Sequence, residues 1–306
     1  MMHFSLPHRP HECSASCAGG GAGLCAHLLW GFAVLFWPLL GALNPVSIMA
    51  HRMIWTVVFL GIVLLAEGHL HAVKSAFQNR RTLISLFFAA VMLGLNWTIY
   101  LFAVTTGQIV ESSLGYFITP LLNVLMGRVF LGEKLSRAQG AAIALAFCGV
   151  AASVIAYGRI PWIGFILALS FALYGYMQKT LRMDAAPSLF VQALMLMPAA
   201  VLWLGFTEEG FGIMGYGPWR PVLLICTIAF TGLPLLLFGY AARHVTLATI
   251  GILQYVSPSI AFVLAITVLG ESMKPSDMIS FPVIWLALAI YTYDALHHLR
   301  SIKEKP

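Results

Sequence analysis

One stretch of this chain occurs twice. Residues 94–133 read GLNWTIYLFAVTTGQIVESSLGYFITPLLNVLMGRVFLGE, and residues 232–271 read GLPLLLFGYAARHVTLATIGILQYVSPSIAFVLAITVLGE. Superposed without a gap, they pair Gly94 with Gly232, Ala103 with Ala241, Pro120 with Pro258, and Leu131-Gly132-Glu133 with Leu269-Gly270-Glu271, always 138 residues apart. A fixed offset held over about 40 residues marks an internal repeat. The chain must therefore be built from two copies of one unit.

The solvent for that unit follows from composition. Hydrophobic residues make up 60% of the chain, charged residues 9%, and mean hydropathy is +0.89. A soluble domain carries about 25% charged residues, so this is an integral membrane protein. A bilayer core about 30 Å thick takes about 20 apolar residues per helical crossing, which leaves room for about ten crossings and no large soluble domain. Continuously apolar runs stand at 24–43, 47–66, 83–103, 111–131, 138–157, 160–179, 187–206, 221–241, 248–269 and 277–296. Barrel strands would alternate instead, so these are read as ten helices.

Charge placement gives orientation. Twelve of the 17 Lys and Arg residues, among them Lys74, Arg80, Arg81, Lys134, Lys179 and Arg300, fall in segments on one side. Only Arg159, Arg220 and Lys274 fall on the other, and Arg52 and Arg128 lie inside spans. The bias places both termini in the cytoplasm. Ten helices in two copies means five per copy, and an odd number forces the second copy to enter from the opposite face. The expected fold is an all-α integral membrane protein of ten transmembrane helices in two inverted five-helix repeats. Its expected parts are a disordered cytoplasmic tail over 1–23, repeats over 24–157 and 160–296, and a cytoplasmic C-terminal tail over 297–306. His8, His11, Cys13 and Cys17 in the first tail have no second pair to complete a tetrahedral site, so no metal is expected. The five scattered cysteines give no disulfide framework.

Several of these segments carry a resemblance. HRMIW (51–55), GLNWTIYLFAV (94–104), ESSLGYFITPLLNVLMGRVFLGE (111–133), SFALYG (170–175) and LQYVSPS (253–259) resemble the EamA branch of the drug/metabolite transporter superfamily. The likeness runs from about residue 24 to 300. It implies a ten-helix permease of the bacterial inner (cytoplasmic) membrane, and it supplies no fixed set of ligand residues.

The residues themselves offer candidates. An Arg inside the bilayer costs at least about 2.5 to 3.5 kcal/mol, so Arg52 should face a polar cavity or a partner. It is read either as a clamp for an anionic or carboxylate group, or as an Arg snorkelling to the periplasmic surface or tying two helices, with Glu111 as the candidate partner. Glu111 is also the candidate proton carrier, although a carboxylate at a helix N-terminus has a purely structural explanation too. Asn96, Trp97 and Tyr100 in the third helix could line a pocket or serve as interhelical glue. Tyr116 and Gln254 are repeat mates, as are Phe117 and Tyr255, and each pair precedes its proline. Pro120 and Pro258 are the expected hinges, because proline removes a backbone donor and frees an upstream carbonyl. Trp30 and Tyr174, at matching positions of the first and sixth helices, complete the substrate-binding set. Glu133 and Glu271 end helices on opposite faces and are read as structural, with gating ion pairs to Lys134 or Lys274 as the alternative.

The function expected is a secondary transporter of a small metabolite or drug-like molecule, an exporter or exchanger working by alternating access. Protons are the candidate coupling ion, and no cofactor or nucleic-acid partner is expected. No GxxxxGK[ST] is present, so ATP does not drive it directly. A membrane enzyme would need His, Asp or Glu clustered in one leaflet, whereas the histidines here lie mostly in tails and loops. A non-transporting receptor or assembly protein is the other alternative, and a polar interior at Arg52, Asn96 and Gln254 weighs against it.

Overall fold

A computed structural model describes residues 10–40, 43–106, 108–207, 219–268 and 275–303, and all regular structure among these is helical. α1 (Pro10–Phe36) runs into a 3-10 turn at Trp37–Leu40, followed by α2 (Pro45–Ala66), a short α3 (Leu70–Gln78), α4 (Arg80–Thr105) and α5 (Ile109–Phe130). Then come α6 (Arg137–Tyr157), α7 (Trp162–Thr180) and α8 (Ala185–Phe206). Next, α9 (Arg220–Cys226) leads through a 3-10 turn at Thr227–Phe230 into α10 (Gly232–His244). The chain finishes with α11 (Leu247–Gln254), α12 (Val256–Thr267) and α13 (Pro275–Lys303).

Among the described residues, eight stretches are long and apolar enough to cross a membrane: Ala15–Leu40, Pro45–Ala66, Arg80–Tyr100, Glu111–Phe130, Arg137–Tyr157, Ala185–Phe206, Arg220–His244 and Leu247–Leu264. The two other runs expected from sequence are occupied by α7 and by α13, whose apolar part covers Phe281–Ala295. α7 is less apolar because of where it sits. It packs against α4, α5 and α10, with Ser170, Tyr174 and Gln178 all buried in protein rather than facing lipid.

Helix ends follow local chemistry. Asn44 accepts the Val46 N–H with Pro45 at the first helical position of α2. α6 starts on a reciprocal Ser136/Gln139 capping box and stops on Gly158 at φ +81°. The Leu-Gly-Glu signature is a similar stop. Gly132 takes φ +64°, and the N–H groups of Leu131 and Glu133 both return to the Gly127 carbonyl. This turns the Glu133 side chain toward α11.

Three expectations change. Residues 10–23, read as part of a disordered tail, form the start of α1. Their glycines permit close approach: a Cβ at Gly19 would stand 2.5 Å from the His244 Cβ, and one at Gly23 would stand 3.1 Å from Leu253 Cδ1. Residues 1–9, like Glu271 and Lys274, lie outside the described residues. The runs 221–241 and 248–269 are each interrupted, the first by the turn at Thr227–Phe230 and the second at Tyr255. α5, by contrast, passes through Pro120 unbroken.

The tightest helix pairs are α5 with α7, α6 with α13, α2 with α8, α1 with α10 and α12, α5 with α11, and α4 with α7. The central contact is α5 against α11, where the Pro120 carbonyl meets Gly251, whose missing side chain would otherwise lie 2.5 Å from that oxygen.

Candidate functional site

The site grows from Arg52, two turns into α2. Its Nε donates to Thr231 Oγ1 at 2.6 Å and its Nη1 reaches Met49 Sδ at 3.0 Å. Thr231 stands at the irregular junction between the 3-10 turn and α10, so interruption of that span is what brings a hydroxyl to the guanidinium. The guanidinium carbon lies 4.7 Å from the Trp37 ring centroid and 5.8 Å from that of Trp97, within cation–π range. Tyr100 on α4 and Tyr116 on α5 lie within electrostatic reach of Arg52 and of each other. Tyr116 is 52% exposed and Arg52, Trp37, Trp97 and Tyr100 are half-buried, so the group is open on its Tyr116 side.

Of the residues expected from sequence, the structure thus gathers Arg52, Trp97, Tyr100 and Tyr116. The others have different surroundings. Asn96 donates to the Leu167 carbonyl at 2.8 Å and to Ser170 Oγ at 3.1 Å, joining α4 to α7. Gln254 is buried and accepts from Asn123 Nδ2 at 2.6 Å. The Tyr255 hydroxyl donates at 3.2 Å to the carbonyl of its own repeat mate, Phe117. Trp30 and Tyr174 belong to a packed aromatic group with His27, Phe171 and Phe238, in which Tyr174 is 0% exposed. In this conformation they form part of the core, not of the open space beside Arg52.

Glu111 is not the partner of Arg52. Its carboxylate, 1% exposed, accepts from the Ile163 N–H at 2.9 Å, the Tyr157 hydroxyl at 2.8 Å and Arg159 Nη2 at 3.2 Å. Hydrogen bonds to Tyr157 first, and the Glu111 charge after them, raise the Arg159 pKa above its ordinary value. Glu133 has a parallel setting at the other end of α5. It accepts from the Leu247 and Ala248 N–H groups at 2.9 and 3.2 Å and lies 3.8 Å from Lys179 Nζ, the partner found where Lys134 or Lys274 was expected. Each carboxylate therefore sits on the N-terminus of a different helix, α7 or α11, where free N–H groups and the helix dipole favour an anion.

Sequence reasoning missed Trp37, Thr231 and Asn123. Trp37 and Thr231 lie at an end and an interruption of apolar runs, which hydropathy alone does not mark. Asn123 did carry a signal, a lone amide in mid-span.

The profile of the EamA-like transporter family matches the chain twice, over residues 18–155 and 160–293. A protein of Streptomyces exfoliatus called "Protein RarD" is 41% identical over 287 residues, covering 92% of this chain and 90% of that protein. An "Uncharacterized transporter" of Vibrio cholerae is 36% identical, covering 89% of this chain and 91% of that one. A solved crystal structure shares the fold with a TM-score of 0.73 at 18% identity, covering 92% of this chain and 98% of the other.

Proposed function

The chain belongs to the EamA-like transporter family, and on that premise we propose that it is a secondary active transporter of a small metabolite or drug-like molecule across the cytoplasmic membrane. It exports or exchanges its substrate by alternating access, crossing the bilayer ten times as two inverted five-helix repeats with both termini in the cytoplasm. The observation that carries the proposal is the Arg52 group, a cation among indoles and phenols beside open space, with residues from five membrane-spanning stretches and both halves of the chain. A substrate site at the junction of inverted repeats is a recurring transporter design.

The packing supports inversion. Exchanging α1 with α7, α4 with α10, and α5 with α11–α12 turns the α4–α7 contact into α10–α1 and the α5–α7 contact into α11–α12 against α1. The pairs α2–α8, α6–α13 and α5–α11 map onto themselves. Tyr255 touching Phe117, its own mate, is what a two-fold axis through that point produces. The two family matches, divided between residues 155 and 160, support the same partition into repeats over 24–157 and 160–296.

Alternating access requires two ends that open in turn. The Glu111–Arg159–Tyr157 group and the Glu133–Lys179 group are the closures proposed at the two ends of α5. The interruption at Tyr255, beside Pro258, is the proposed hinge. Glu111 is the proposed proton carrier: it is buried, yet its Arg159 partner is 63% exposed.

The test is a metabolite and drug screen on protein in liposomes, with a pH gradient imposed and then collapsed. Gradient-dependent movement of a compound is expected, and Glu111→Gln should transport without responding to the gradient. Gradient dependence equal to wild type in that variant would remove Glu111 from coupling. No movement of any compound by folded, inserted protein would count against the transport reading.

A further inference from the structure

We infer that the Arg52 group binds a monoanionic carboxylate carried on a flat apolar body, an inference that rests on the transport reading above and names its substrate class. The charge of Arg52 is uncompensated. Among the described residues no carboxylate pairs with it, because Glu111 is held by Arg159, Tyr157 and Ile163, and Glu133 by Leu247, Ala248 and Lys179.

The guanidinium is positioned rather than loose. Nε is bonded to Thr231, Nη1 to Met49, and two indoles pack on the group. Among the described residues Nη2 has no hydrogen-bond partner, and neither have the hydroxyls of Tyr100 and Tyr116, which interact electrostatically with Arg52. Spare in-plane donors on a fixed guanidinium match a planar oxyanion, which can accept two parallel bonds. Phenol hydroxyls can donate to the same oxygens, and the Trp37 and Trp97 rings offer surface to an apolar body.

Charge count narrows the class further. Among the described residues Arg52 is the basic group coupled electrostatically to Tyr100 and Tyr116. One guanidinium balances a carboxylate, whereas a phosphate monoester at neutral pH carries about 1.5 to 2 charges and would leave the group net negative.

The experiment is calorimetric titration of the full-length protein with benzoate, 3-phenylpropanoate and hexanoate, each against its primary amide, together with phenyl phosphate. At least one acid should bind about tenfold or more tightly than its amide, the difference a charge-assisted bond supplies, and more tightly than phenyl phosphate. Arg52→Gln should erase the preference for acid over amide, and Arg52→Lys, which keeps the charge without the fork, should retain part of it. The double variant Tyr100→Phe with Tyr116→Phe should weaken acid binding severalfold at an unchanged melting temperature, and it gives a second reading should Arg52→Gln fail to fold. No binding by any acid, equal binding of acid and amide, or acid preference surviving Arg52→Gln or the double Tyr variant undiminished overturns the inference.

Liposomes separate this proposal from its premise. Transport of neutral compounds with no effect of Arg52→Gln would keep the transport reading and remove the carboxylate. Acid binding that requires Arg52, with no movement of any compound, would keep the site and remove transport.

Discussion

α5 passes Pro120 without interruption, whereas its repeat mate stops at Gln254, turns at Tyr255 and resumes at Val256, two residues before Pro258. Both prolines remove a backbone donor, so the difference lies in what the neighbouring side chains do. Thr119 returns its hydroxyl to the Gly115 carbonyl of its own helix at 2.7 Å. Its mate Ser257 turns outward, donating to the His27 carbonyl of α1 at 2.8 Å. Ser259, where α5 has Leu121, bonds back to the Tyr255 carbonyl and accepts from Trp285 Nε1. The same division separates Tyr116 from Gln254: the first is 52% exposed beside Arg52, the second buried against Asn123. One copy thus keeps its helix whole and offers a polar group to the open space. The other breaks its helix and spends its polar groups on holding the halves together.

The largest effect is expected where the two helices touch. Gly251→Ala places a Cβ 2.5 Å from the Pro120 carbonyl oxygen and 3.3 Å from its carbon, and both are backbone atoms that cannot rotate away. α5 and α11 must separate, at a cost of about 1–3 kcal/mol. Gly140→Ala on α6, where nothing lies within 4 Å, should go the other way and stabilise by up to about 1 kcal/mol through helix propensity. Thermal unfolding in detergent gives both signs. A loss at Gly251 no greater than at Gly140 would mean that the α5–α11 contact is slack and that the break does not depend on it.

Next comes the divided pair. Gln254→Leu strands the Asn123 amide, whose Oδ1 already lacks a hydrogen-bond partner among the described residues, and should cost about 1–3 kcal/mol. Tyr116→Phe, at the mate position, should change stability by no more than about 0.5 kcal/mol because that ring is half exposed and its hydroxyl is not holding another helix. Similar losses at both positions would end the division of labour between the copies.

How much of this was legible in advance depends on whether a residue's partner lies within one helix or across several. The repeat, the positions of most crossings and the helix stops at Gly132 and Gly158 are local or periodic, and the sequence carries them plainly. Arg52 was legible as an expensive charge, and Trp97, Tyr100 and Tyr116 as polar aromatics at membrane depth. Its neighbours Trp37 and Thr231 were not, because they meet Arg52 only after α1, α2 and α10 have packed. Glu111 was misassigned to Arg52 for the same reason. Proximity along the bilayer normal suggested the pair, while the end of α6, the α6–α7 connection and the start of α7 supplied three better donors, Tyr157, Arg159 and Ile163. Glycines 19–21 and 23 read as disorder because composition does not distinguish a flexible tail from a helix that must pack closely, as Gly19 and Gly23 do against α10 and α11.

The smallest effect tests the hydroxyls. Ser257 has one proton, and it goes to the His27 carbonyl, so the 3.2 Å contact between its oxygen and His27 Nδ1 requires Nδ1 to be the donor. That leaves Nε2 as a buried acceptor with no partner among the described residues. Ser257→Ala therefore removes two bonds between α12 and α1 and should cost about 1 kcal/mol. Thr119→Ala removes only a bond within α5 of the kind that slightly bends a helix, and should stay within a few tenths of a kcal/mol. The sharper form of the measurement repeats both variants in a His27→Phe background. There the Ser257 cost should shrink, because the Nδ1 bond is gone and only the backbone bond remains, while the Thr119 effect should not move. If the Ser257 cost is unaltered by His27→Phe, the imidazole contributes nothing to the joint, and the interruption at Tyr255 is held by the His27 carbonyl alone.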